Sequence, residues 1–167
     1  MTQRRGTAAR LAHVGRHGSA KMVDVGAKPA TERRARAAGE IRMSPAAWRA
    51  IRANSIRKGD VLAVAKVAGI QAAKRTAELI PLCHPLALTS VDVSLRLVAR
   101  PASVRVEAEV ATTAPTGVEM EALTAVTVAL LTVYDMAKSA DRGMRIGSVR
   151  LLEKSGGRSG RYRARSA

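Results

Sequence analysis

The sequence predicts an α+β domain: one antiparallel sheet with helices packed on one face, a ferredoxin-like split βαβ arrangement. Three observations carry this. Segments 91–97 and 104–110 alternate apolar and polar residues across the turn Arg100-Pro101-Ala102-Ser103, the pattern of an antiparallel hairpin. One longer segment before that hairpin repeats apolar residues at helical steps, and one after it is apolar nearly all round. Strand-like segments flank the set, giving the order strand, helices, two strands, helix, strand.

The elements follow in turn. Residues 24–31, with Gly26 and Pro29, read as extended or loop structure, and 40–43 as a short strand. Ser44-Pro45 places a cap before a proline, so a helix begins there, covers Trp48 and Ile51 and ends at Asn54-Ser55. Asp60, after Lys58-Gly59, caps the next helix. Val61, Val64, Ala65, Ala68, Ala72 and Leu79 mark its buried side, and Gly69 permits either a bend or close packing. Pro81 stops it, and Leu82-Cys83-His84-Pro85 forms a turn with a proline on each side. In the hairpin, Val91, Val93, Leu95 and Leu97 share a face, as do Val104, Val106, Ala108 and Val110. Thr116-Gly117-Val118 introduces a helix over 119–140. Its middle, 122–133, is apolar or threonine almost throughout, which calls for burial, against another subunit. A last strand spans 145–152.

Composition narrows the classes. The 167 residues are 47% hydrophobic and 25% charged, enough to bury a core without disulfide or metal staples. Cys83 is the only cysteine, which excludes an intramolecular disulfide and a thiolate zinc site; no metal or cofactor is expected. No uninterrupted apolar run reaches a membrane span of roughly 18 residues. The first 20 residues lack the apolar stretch of a secretory signal, so a cytoplasmic home is expected, with no membrane partner. Lys and Arg number 29 against 13 Asp and Glu, a net +16. Ten of those basic residues lie in 1–21 and 154–167, which hold no acid, leaving +6 for the rest. We read 1–21 as a basic, disordered tail, 22–157 as the domain and 158–167 as a second basic tail. Such charge invites nucleic acid, but aromatic residues are only 2%, too few for a base-stacking platform.

Four clusters could carry chemistry. Lys58-Gly59-Asp60 sets a lysine at a helix start, where phosphate binds, although an ordinary cap with a solvated lysine is the plainer reading. Cys83-His84 sits between prolines; a packed cysteine beside a hydrogen-bonded histidine competes with a histidine acting on substrate. Glu119-Met120-Glu121 opens the apolar helix, where carboxylates also simply favour the helix dipole. Asp135 and Lys138, three apart, share a helical face and could be only a surface ion pair. The terminal SGGRSG lacks the GxxxxGK[ST] pattern of a Walker loop. Spacing alone supports no more than a phosphate-binding enzyme.

The strings themselves are more specific. MVDV (22–25), KGDV (58–61), AGIQAAKRT (68–76), LIPLCHP (79–85), TGVEMEALTA (116–125), YDMAK (134–138) and LLEKSGGRSG (151–160) closely resemble the cyclic pyranopterin monophosphate synthase family. The resemblance covers about residues 22–160, in order, and departs from the family only in the basic ends. It implies the second step of molybdenum cofactor biosynthesis. The substrate is (8S)-3′,8-cyclo-7,8-dihydroguanosine 5′-triphosphate; cyclic pyranopterin monophosphate and diphosphate are the products. It further implies that Asp135, Lys58 and Lys138 are catalytic. Leu82, Cys83, His84, Glu119, Met120 and Glu121 then contact substrate, with Arg33 and Lys154 as further phosphate ligands. A lysine near other cations has a lowered pKa, which would suit it to acid–base work at neutral pH.

One inference is geometric. Glu121 and Asp135 are 14 residues apart, roughly 21 Å along a straight helix at 1.5 Å per residue. One nucleotide-sized pocket cannot touch both from a single unbroken helix, so the active site is expected at a dimer interface; the resemblance implies a hexamer of three dimers. If Lys58 and Asp135 lie on opposite chains, mixing Lys58→Ala with Asp135→Ala subunits restores activity. Two other classes stay open: a basic nucleic-acid-binding protein, and a non-catalytic nucleotide-binding oligomer.

Overall fold

The computed structural model describes residues 19–158 and 160–165. The chain runs β1 (Thr31–Arg42), α1 (Pro45–Arg52), α2 (Val61–Lys74), α3 (Thr76–Leu79), β2 (Leu88–Ala99), β3 (Ala102–Ala114), α4 (Glu119–Ala137), β4 (Arg145–Ser155) and β5 (Tyr162–Arg163). The five strands form one antiparallel sheet in the order β2-β3-β1-β4-β5. The first four reproduce the split βαβ topology, and α2 and α4 cover one face of the sheet.

The core lies between those helices and the inward residues of the central strands. Ala35, Ala37 and Ile41 of β1 meet Val104, Val106, Ala108 and Val110 of β3, Val93 of β2, and Ala125, Val126, Ala129, Leu130 and Val133 of α4. At Gly69 an added Cβ would lie 2.9 Å from Ala125 O and 3.3 Å from Ala129 Cβ. This glycine therefore brings α2 against α4; it does not bend the helix. The opposite face of the sheet is an ion-pair lattice: Arg36 bonds Glu107 through Nε at 2.9 Å, and Glu40 accepts from Arg42 Nε at 2.7 Å.

Three element assignments differ from expectation. β1 begins at Thr31, nine residues before the expected strand at 40–43. Its inward positions are Ala35, Ala37, Gly39 and Ile41; the first three are small residues of poor strand propensity, made extended by pairing on both edges. They are small because α4 lies close: a Cβ at Gly39 would sit 2.9 Å from Leu130 Cδ1. The expected helix up to Pro81 breaks at Arg75, whose φ/ψ of −112°/14° is not helical, and Leu79 and Val64 face outward at 56% and 45% exposure. Part of the second tail is ordered as β5, paired with β4 through Glu153–Arg163 and Lys154–Tyr162. The first tail lies almost wholly outside the described residues.

The long helix is buried as expected, but α2 and the sheet of its own chain cover it where another subunit was expected, and it ends at Ala137. Although it contains no uninterrupted apolar run of span length, it is long and apolar enough overall to cross a membrane. Its core contacts give the soluble-domain account of that composition.

Candidate active site

One cluster forms where the loop before α2 meets the end of α4. Ser44 caps α1 by accepting the Ala47 N–H at 3.3 Å, and Asp60 caps α2 by accepting from Leu62 and Ala63, both at 3.0 Å. Gly59, at φ 97°, supplies the left-handed turn between Lys58 and the cap. Lys58 Nζ donates to Asp135 Oδ2 at 2.7 Å and to the Asp135 carbonyl at 3.0 Å. Lys138 Nζ lies 2.8 Å from Asp135 Oδ1. Each carboxylate oxygen thus holds one ammonium, and all three side chains are about half exposed.

The electrostatics correct one expectation. The Lys138 and Lys58 hydrogen bonds pull the Asp135 carboxyl down to about 2. Lys138 is raised, not lowered, because Asp135 stabilises its charged form more than desolvation and, to a smaller extent, Arg142 oppose it. Lys58 and Asp135 also meet within one chain, so they are not opposite-chain partners.

The other end of α4 is drier. Glu121 is only 3% exposed; Cys83 Sγ–H donates to its Oε1 at 3.5 Å, while Oε2 has no hydrogen-bond partner among the described residues. Burial raises the Glu121 carboxyl, and burial followed by the Glu121 charge pushes the Cys83 thiol up to about 11. His84 Nε2 donates to Val23 O at 2.7 Å, tying the 22–25 segment to the turn. Leu82 is half-buried beside it, and Met120 is 37% exposed in the first turn of α4.

A cleft of about 680 Å³ opens beside this end, lined by Arg33, Glu119 and Lys154 among others. Lys154 Nζ pairs with Glu119 Oε1 at 2.8 Å, and Arg33 Nε donates to Ala114 O at 3.3 Å. The glycine-rich run wraps the guanidinium: Gly157, at φ 71°, lies against it, so that an added Cβ would land on Arg33 Nη1 and displace it.

Residues 22–157 match the MoaC family. The chain belongs to that family. It is 54% identical over 158 residues to the cyclic pyranopterin monophosphate synthase of Parvibaculum lavamentivorans, covering 95% of this chain and 99% of that one. It is 60% identical over 156 residues to the same-named protein of a Methylobacterium species, covering 93% and 98%. Identity to the Thermomicrobium roseum protein of that name is 57% over 155 residues, covering 93% of each.

In this MoaC-family chain the expected site residues thus fall into two sets. Asp135, Lys58 and Lys138 come together, as do Cys83 with Glu121 and Arg33 with Glu119 and Lys154. The two ends are not brought together: α4 is unbroken, and Glu121 and Asp135 stay roughly 21 Å apart along it. Sequence reading missed Asp141, which holds the loop after α4; an Asp two residues before Gly143 signals only an Asx turn. It also passed over Thr31, Thr116 and Ser155 as cleft-lining groups, since isolated hydroxyl residues carry no pattern.

Proposed function

We propose that the chain is a cyclic pyranopterin monophosphate synthase. It converts (8S)-3′,8-cyclo-7,8-dihydroguanosine 5′-triphosphate to cyclic pyranopterin monophosphate with release of diphosphate, in the cytoplasm, with residues 22–157 as the catalytic domain. The observation that carries the mechanism is one carboxylate holding two lysine ammoniums, 2.7 and 2.8 Å away. Opening the purine-derived ring and reclosing it as a pyranopterin requires proton transfers at nitrogen and oxygen. Closing the cyclic phosphate requires neutralised charge on departing diphosphate. Charged Lys58 and Lys138 suit both demands as proton donors and phosphate ligands, with Asp135 fixing where their ammoniums stand. An anionic substrate competes with Asp135 for them, so a lysine that gives up its proton moves from carboxylate to reacting atom.

The opposite end supplies recognition in this reading. Leu82, Cys83, His84, Glu119, Met120 and Glu121 hold the ring system, with Arg33 and Lys154 around the phosphates. Both ends serve one site if two subunits pair through the outer face of the helix layer, with their α4 helices antiparallel. Val64, Val67 and Leu131, exposed on α2 and α4, support that face as the contact. Glu121 of one subunit then approaches the Asp135 end of the other, and three such dimers make the hexamer.

Turnover of the cyclised nucleotide, followed by diphosphate and pterin release, tests the reaction in wild type beside Lys138→Ala. Product from wild type, with a loss of orders of magnitude in the variant, is expected. A folded wild-type oligomer that yields none overturns the reading. Mixing Glu121→Ala with Asp135→Ala subunits tests the shared site: one of the two sites in each mixed dimer regains both native ends, so activity returns. No return from verified mixed dimers would exclude it.

A further inference from the structure

The charged cluster joins two separate parts of the chain. Lys58 belongs to the loop after α1, whereas Asp135 and Lys138 belong to the end of α4. Their meeting therefore depends on how the segment from Ser44 to Lys58, whose helix α1 packs on β2 and β3, is placed relative to that end. The Lys58–Asp135 pair is half exposed, and such pairs hold geometry weakly.

A firmer tie lies at the start of α1. Asp141 Oδ2 accepts the Ser44 backbone N–H at 2.7 Å, and Oδ1 accepts the Gly143 N–H at 2.8 Å. These bonds, that from Ser44 first, hold its carboxyl below the ordinary range, so it is ionised when the protein is folded. On the α4 side the loop is fastened back to the helix. Asp141 N–H bonds Ala137 O at 3.2 Å, and the Tyr134 hydroxyl donates to Arg142 O at 3.1 Å. On the α1 side local contacts tie the chain from Ser44 to Lys58. The Ser44 cap, the turn bonds from Asn54 to Ile51 and from Ser55 to Ala50, and the buried Ile51 and Ile56 hold it together.

We infer that Asp141 is a positioning residue for the reaction: by seating the start of α1 on the end of α4, it sets where Lys58 stands against Asp135. This rests on the reading of Lys58, Asp135 and Lys138 as catalytic. Asp141 touches no substrate in this account. Its influence passes through α1 to Lys58, and through the loop to the last turn of α4.

The experiment compares wild type, Asp141→Asn, Asp141→Ala and Lys58→Ala in the full chain. Steady-state turnover and the titration of the Asp135 carboxyl by carbon NMR are both read. We expect kcat of Asp141→Ala to fall about 100-fold, with KM within about threefold. Asp141→Asn keeps one acceptor oxygen and should fall about tenfold. In both variants the Asp135 midpoint should rise from about 2 toward its value in Lys58→Ala, since the lysine has drawn away. Unchanged kcat in a folded variant, or an unmoved Asp135 midpoint, overturns the inference. Should Asp141→Ala not fold, the asparagine variant, close in shape, decides alone. Full activity in Lys58→Ala would overturn the catalytic reading instead, and the titration would still judge Asp141.

Discussion

The two ends of α4 solve opposite electrostatic problems. At the Asp135 end Lys58, Asp135 and Lys138 are solvated and paired, and the carboxyl is driven down to about 2. At the Glu121 end the carboxyl is buried, accepts one thiol hydrogen bond, keeps one oxygen without a partner among the described residues, and is driven up. One helix thus carries a carboxylate that stays ionised and another inclined to hold its proton. Desolvation and pairing, not residue type, set the difference. The first end suits charge handling; the second suits reading a ring whose donors and acceptors can satisfy the open oxygen.

The sharpest way to break this comparison is to remove a cation from the paired end. Lys138→Ala should lower kcat/KM by about 10³-fold, as loss of a proton donor or charge clamp does, measured by diphosphate release. Next in size is the cleft. Gly157→Ala forces a Cβ onto Arg33 at a positive φ, and should raise KM about tenfold while kcat changes less. The buried end gives a smaller effect, in stability. A carboxyl raised by burial contributes stability that is present below its ordinary 4.5 and lost as pH rises through its folded value. Glu121→Gln should therefore raise Tm at neutral pH by about 2–4 °C, for roughly 1 kcal/mol, and flatten that loss, as read by calorimetry. Smallest is the mirror case. The lowered Asp135 contributes stability above its ordinary 3.8 that is lost as pH falls toward 2, and Asp135→Asn should erase that part of the acid limb.

Legibility followed the same divide. Ser44-Pro45 and Asp60 were readable as helix starts because capping is local, and the structure places α1 and α2 immediately after them. The β2–β3 hairpin was readable because both strands alternate large apolar and polar residues. Most of β1 was not, because Ala35, Ala37 and Gly39 carry no strand signature; contact with α4 and pairing with β3 and β4 make them a strand. Asp135 and Lys138 were legible as neighbours from their spacing. Lys58, 77 residues from Asp135, was legible as a lysine at a helix start, its catalytic role came through resemblance, and only the packing of the loop before α2 against α4 brings it within 2.7 Å. The raised lysine pKa was missed because proximity of cations was weighed without the carboxylate between them.

By itself the sequence determined the order of elements, their caps, the covered face of the hairpin and the family strings, since each depends on residues a few positions apart. The tertiary structure decided which charges meet, which carboxylate is dry, and where the backbone leaves no room for a Cβ. Those are properties of distance and solvent access between segments far apart in the chain, and they exist only once α2, α4 and the sheet have closed on one another.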